Sequence, residues 1–131
     1  MIIDSSAIVA ILRKEPEGPA LAEAIEKAYP CKMSAATFLE AAIVIDGMRE
    51  PLVSHRFDEM LAQSGIAIEP VTRDQARIAR EAYRDFGRGS GHPARLNFGD
   101  CFAYALARVT GEPLLFKGND FSHTDLTSAL A

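Results

Sequence analysis

A chain of 131 residues, 48% hydrophobic and 24% charged, carries enough apolar material for one folded core and too much for a disordered segment. Its 18 acidic residues outnumber its 14 basic ones, and the net charge of −4 excludes a generic nucleic-acid coat held to a backbone by overall positive charge. No apolar run approaches the roughly 20 residues of a membrane span, and no basic stretch leading into an apolar one marks a secretory signal.

Met1-Ile2-Ile3 runs without alternation into Asp4. Such a run predicts a short parallel strand covered on both faces, here ending in a carboxylate. Ser5 or Ser6 is placed to cap the next helix, where Ala7, Ile8, Ala10, Ile11 and Leu12 cover one wide face. Glu15-Pro16-Glu17-Gly18 breaks that helix. Pro16 starts a second one running to about Ala28, with Leu21, Ala24, Ile25 and Ala28 at the apolar spacing. Cys31-Lys32-Met33-Ser34 reads as a weak second strand, and Ser34 caps a helix from Ala35 to about Met48 that carries Glu40.

After the Arg49-Glu50-Pro51 turn, a helix from about Leu52 to Gln63 sets Val53, Phe57, Met60 and Leu61 on one side. Gly65 stops it, and Ile66-Ala67-Ile68-Glu69 is a strand. Thr72 caps a helix lasting to Phe86, and residues 87–97 form a polar loop with three glycines. Asn97 or Gly99 opens a helix through Val109 that carries Asp100. Gly111-Glu112-Pro113 turns the chain into the strand Leu114-Leu115-Phe116. Asp120 lies just past it, and Ser122 or Thr124 caps a short final helix.

Strands alternating with helices over the whole length predict an α/β fold, a mainly parallel sheet with helices on both faces, in one domain over residues 1–131. Cys31 and Cys101 form neither a CxxC pair nor a disulfide framework and read as reduced thiols packed as small hydrophobes in a cytoplasmic protein. With His55, His92 and His123 scattered, they do not resemble a zinc site.

In sheets of this kind ligands bind beyond the carboxyl ends of the strands. Asp4 and Asp120 each follow a strand, and Glu40 and Asp100 each lie early in a helix. If the strand ends share one rim, the four acids meet there. Like charges a few ångströms apart resist joint ionisation, and a hard divalent cation, magnesium or alternatively manganese, resolves the conflict through oxygen ligands. Such a centre activates water and stabilises charge on a phosphoryl oxygen, so the chemistry implied is metal-assisted phosphodiester hydrolysis. Both Glu40, in Thr37-Phe38-Leu39-Glu40-Ala41-Ala42, and Asp100, in Asn97-Phe98-Gly99-Asp100-Cys101, have apolar flanks where an unpaired carboxylate carries a desolvation cost.

Four segments, MIIDSSAIVAIL, MSAATFLEA, LNFGDCFAYALA and PLLFKGNDF, stand in an order and at distances that resemble a PIN domain, and more narrowly the VapC toxins of bacterial toxin–antitoxin pairs. The resemblance covers essentially the whole chain. It implies a PIN-like α/β/α sandwich and a magnesium- or manganese-dependent ribonuclease. It further implies a homodimer that a cognate VapB-type antitoxin holds inactive in a heterocomplex. By the same resemblance Asp4, Glu40 and Asp100 match the family's acids, and Ser6 matches the small hydroxyl residue that supports the first of them. Asp4 and Asp100 are expected to contact the metal directly, with Glu40 and Asp120 acting through water. Many family members carry an aspartate where this chain has Gly118, which leaves Asp120, supported by Asn119, as the fourth position.

Two other classes compete. One is a catalytically weak PIN-fold protein-interaction or regulatory module. The other is a phosphatase of the haloacid-dehalogenase kind, which wants a second aspartate two residues after the nucleophile, where Ser6 stands. Apolar helix faces, the first helices and Leu52–Leu61 among them, could serve a dimer or a partner as well as the core.

Arg73, Arg77, Arg80 and Arg84 recur along one narrow helix face, opposite Ala76, Ala79, Tyr83 and Phe86, which are expected to face the core. The stripe reads either as a guide for RNA phosphates, continued by Arg88 and Arg95, or as a solvated face with Arg77–Glu81 as an i,i+4 pair. Gly87-Arg88-Gly89-Ser90-Gly91-His92 lacks the Walker Lys-Ser/Thr and does not fit GxGxxG, so it is not a P-loop. It is expected to be a loop beside the site, touching substrate through Arg88, His92 or Arg95. His123-Thr124-Asp125 reads as a helix-start motif, and Tyr104 as either a base-stacking or a core residue.

Overall fold

The protein is described here from a computed structural model covering residues 1–130. Its elements are β1 (Ile2–Ile3), α1 (Ser5–Leu12), α2 (Gly18–Lys27), β2 (Lys32–Ser34), α3 (Ala35–Gly47), α4 (Pro51–Gln63), β3 (Ala67–Glu69), α5 (Arg73–Phe86), α6 (Asp100–Thr110) and β4 (Leu114–Leu115). The strands form one parallel sheet in the order β3-β2-β1-β4. The chain therefore builds outward from β1 on one side, then returns to lay β4 on the other. The point where that direction reverses, between β1 and β4, is where an open α/β sheet leaves a crevice.

Side-chain alternation along the strands divides the interior in two. Ile3 and Leu115 pair in register and face α1–α4, joining Ala7, Ile8, Leu21, Ile25, Met33, Ala41, Ile45, Val53 and Phe57. Ile2 and Leu114, one step earlier, face the other way and join Ala79, Ala82, Leu96, Ala103, Leu106 and Phe121. This is the two-faced burial that unalternating strands require, and it gives the α/β/α sandwich. Helix α6 is buried almost all round, from Asp100 and Cys101 to Ala107, because it lies between the sheet and α5.

Several expectations need correcting. Asp4, not a serine, caps α1: its side chain accepts from the Ser6 N–H, which frees both serine hydroxyls for other partners. Helix α2 starts at Gly18 with a proline in its first turn, later than Pro16 suggested, and α4 starts at Pro51. On α5 the buried residues are Gln75, Ala79 and Ala82, and Tyr83 is 44% exposed. The small alanines allow α5 to lie close on α6, which turns the larger Tyr83 outward. No helix follows β4 among the described residues. Instead residues 127–129 run beside β4, with Leu114 N donating to Thr127 O and Ala129 N to Leu114 O, both at 2.9 Å. No described helix is long and apolar enough to cross a membrane.

Candidate active site

The carboxyl ends of β1 and β4 are tied together by one hydroxyl. Ser6 Oγ donates to Asp4 Oδ2 at 2.6 Å and accepts from Lys117 N at 3.0 Å. Asp4 Oδ2 also accepts from Ser6 N at 3.1 Å, so a single oxygen takes both bonds. The other, Oδ1, is buried and has no partner. Asp4 is only 2% exposed, and burial pushes its pKa up to about 6 against the Ser6 hydrogen bonds, with repulsion from Glu40 adding to the rise.

Asp100 repeats the pattern from the other side. Its Oδ2 accepts from Asn97 N at 3.0 Å while Asn97 Oδ1 accepts from Asp100 N at 2.9 Å. This reciprocal pair is a capping box that starts α6 and fixes the carboxylate. Asp100 Oδ1 makes no hydrogen bond among the described residues. Burial again dominates in lifting its pKa, to about 7, and repulsion from Asp4, Asp120 and Glu40 adds to it.

Glu40 reaches in from α3. Ser5 Oγ donates to its Oε1 at 2.6 Å, and its carboxylate lies against the α-carbon of Gly99, where a Cβ would come within 1.7 Å of Oε2. Asp120 stands at the exposed rim beyond β4. Asp4, Glu40 and Asp120 all lie near enough to Asp100 to repel its charge. Among the described residues no three acidic, histidine or cysteine side chains are drawn into ligating geometry, so the acids converge without closing on a point.

The donor set fits a hard divalent cation. Asp4 and Asp100 are each anchored through one oxygen and leave the other unclaimed. A buried carboxylate oxygen without a partner is costly, and a cation is the partner that suits an acidic, all-oxygen surrounding.

The basic residues divide. Arg88 and Arg95 line a cleft of about 330 Å³ with Pro93, Ala94, Asn119, Asp120 and His123, so they and Asn119 reach the site. His92 does not line it: its Nδ1 accepts from Ala94 N at 3.1 Å and its ring packs edge-on against Phe86. Arg84 is paired with its neighbour Asp85 at 2.9 Å, and Arg77–Glu81 is not among the ion pairs. Arg80 borders an apolar cleft beside Tyr83 and Phe98. Tyr104 is a core residue whose hydroxyl donates to Asp125 Oδ1 at 2.6 Å. His123 lies in a turn that starts no helix.

Sequence reasoning missed Ser5, Gly99 and His123 as parts of the site. A glycine directly before an acid at a helix start was the one available sign of a close approach.

Fold and site define a class. Residues 1–126 match the PIN domain, and the chain belongs to that family. Its structure resembles Mycobacterium tuberculosis VapC20, a sarcin–ricin-loop-cleaving toxin, with a TM-score of 0.76 and 16% identity over 96% of this chain and 95% of that one. It also resembles a chain of a Klebsiella pneumoniae toxin–antitoxin complex, with a TM-score of 0.67 and 18% identity over 95% and 92%. Within the family its place is among the VapC ribonucleases. It is 55% identical to Ribonuclease VapC28 of M. tuberculosis over 99% of this chain and 98% of that protein. To Ribonuclease VapC42 of the same species it is 52% identical over 98% of each.

Proposed function

We propose that the protein is a divalent-metal-dependent endoribonuclease, the toxin of a type II toxin–antitoxin pair. The observation that carries the reading is the unpartnered, buried Oδ1 of Asp4, set among three further acids at the sheet's switch point. Full-length identity to named VapC ribonucleases supports the same conclusion.

Asp4 and Asp100 are the residues that would hold the cation. Magnesium, or manganese, supplies neutralising charge for the acids, lowers the pKa of a water and polarises a phosphoryl oxygen. Ser6 and Asn97 keep Asp4 and Asp100 in place through the oxygens not offered to the metal. Glu40, steadied by Ser5, is positioned to orient the attacking water and take its proton. Asp120, with Asn119 beside it, completes the rim and acts through water, since Gly118 offers no side chain. In-line attack leaves a 5′-phosphate and a 3′-hydroxyl. Arg88 and Arg95 hold the RNA backbone, and Arg80 extends the approach along α5, where Arg84 reaches RNA only by giving up its exposed pair with Asp85.

The partner is an antitoxin, inferred from the VapC relatives and the toxin–antitoxin neighbour. A VapB-type protein is the kind expected. A homodimer is supported by the exposed Leu39, Ile43 and Val44 of α3, which flank Glu40 and lack an intramolecular cover. The cytoplasm is the compartment in which such an enzyme would meet cellular RNA.

The test is cleavage of total RNA by the partner-free protein, with magnesium, with manganese and with EDTA, beside Asp4→Asn. Fragments that need both the metal and Asp4 are expected. Full activity in a folded Asp4→Asn protein would remove the proposal. No cleavage, together with no metal binding by calorimetry, would instead favour the protein-interaction module.

A further inference from the structure

We propose that the cleft lined by Arg88, Arg95 and His123 beside Asp120 is a second phosphate subsite, holding a phosphate of the RNA adjacent to the one that is cut. The inference rests on the nuclease reading and adds a requirement to it: a productive substrate carries at least two phosphates.

The cleft brings residues from two separate segments to one place. Arg88 and Arg95 stand at the two ends of a loop whose ends are pinned to each other. Arg88 N donates to Leu96 O at 3.0 Å and Leu96 N to Phe86 O at 2.8 Å, and Gly87 bridges to Leu96. His123 comes from the turn after β4, held there by Phe121, which is buried and packs against Phe116. Among the described residues Arg88, Arg95 and His123 make no salt bridge, so both guanidinium groups are open to an anion. What marks the cleft is convergence: two guanidinium groups and an imidazole from separate segments line one polar cleft, the pattern of a site for an anion.

Two details sharpen the point. The cleft's single acid, Asp120, is also one of the acids whose charge repels Asp100, so the cleft and the acid cluster share a residue. And Arg95 has φ 53°, a left-handed conformation that L-residues adopt at a cost. Lys14 and Arg49 share it, but each directly follows a helix, where such a turn is ordinary. Arg95 lies inside a loop where glycine would sit more easily, and what it contributes over glycine is a guanidinium at the cleft. A phosphodiester oxygen pair matches the fork of an arginine.

The probe is a labelled short single-stranded RNA of mixed sequence, bound to the full chain in EDTA at a series of salt concentrations. Arg88→Gln and Arg95→Gln are each expected to weaken binding about tenfold and to reduce the slope of log affinity against log salt by about 0.7, the value for one phosphate contact on a single strand. Arg88→Lys and Arg95→Lys keep most of the slope, and Arg56→Gln, on α4, changes neither quantity. Equal melting temperatures separate lost contact from lost fold. A second arm places one uncharged methylphosphonate at each position around a mapped cut: one flanking position slows the parent protein and has no further effect on the variants. Unchanged slopes in both glutamine variants, or a methylphosphonate effect indifferent to them, overturn the subsite. If slopes fall but no RNA is ever cut, the cleft is a phosphate site and the nuclease reading is what fails.

Discussion

At Gly99 the backbone is ordinary helix, φ −64° and ψ −39°, so its dihedrals do not ask for glycine. What asks for it is the carboxylate of Glu40, which occupies the space a Cβ would take. Gly99→Ala is therefore compatible with the fold, and alanine even favours the helix start. The cost falls on Glu40, whose flexible end must swing away and leave Ser5. A loss of about 10- to 100-fold in kcat/KM is expected at an unchanged melting temperature, checked by kinetics beside thermal unfolding. A folded variant with full activity would show that the contact does not position Glu40. The sequence could suggest the acids, because their apolar flanks are visible along the chain. It could not suggest Ser5, and for Gly99 it offered only the place before an acid, because both roles arise from a meeting of α3 with residues some 35 to 59 positions away.

Among the elements, those with strong periodicity were legible. Helices α3 and α4 bury residues spaced by four, Thr37-Ala41-Ile45 and Val53-Phe57, as an apolar stripe requires. The face of α5 was misjudged by about one position, because packing against α6 favours Ala79 and Ala82 over the larger Tyr83. After β4 the sequence offers Ser122 and Thr124 as caps, but Phe121 and Leu126 are drawn into the core and the chain passes on to pair with β4. Those bonds cover the edge of a strand whose leucines are fully buried. Deleting residues 126–131 should leave the Leu114 N–H and C=O unpaired. A loss of about 2–6 kcal/mol is expected, since each of the two orphaned buried groups costs about 1–3 kcal/mol. Urea unfolding of the shortened chain measures it, and an unchanged midpoint would mean that solvent serves those groups as well.

For the whole molecule, four acids around one centre make stability depend on pH in an unusual direction. Asp4 lies at about 6 and Asp100 at about 7 in the folded protein, against 3.8 for an ordinary aspartate. Between those values the folded state holds protons that the unfolded chain has released. Stability without metal is therefore fully present below about pH 4 and lost as pH rises through 6 and 7, with a ceiling of about 3 kcal/mol for Asp4 alone. Asp85 and Glu112, held low by Arg84 and by Lys32 with the N-terminal amine, act in the opposite sense at the acid end, below the ordinary carboxylate range. In EDTA the melting temperature should thus fall from pH 5 to pH 8, and magnesium should restore it at pH 8. A higher melting temperature at pH 8 in EDTA would contradict the buried, convergent acids.

The strand order has a further consequence for how the protein comes into being. The first strand made lies in the interior of the sheet, and its second neighbour is β4, more than a hundred residues later. Ser6 meets Lys117 across 111 positions, and only then are both ends of the crevice fixed. Closing so long a loop comes late in any folding route. A ribosome that stalls before β4 consequently releases a chain with Asp4 but no site around it. The crevice is complete only once β4 has been made, so fragments that stop short of it carry no blade.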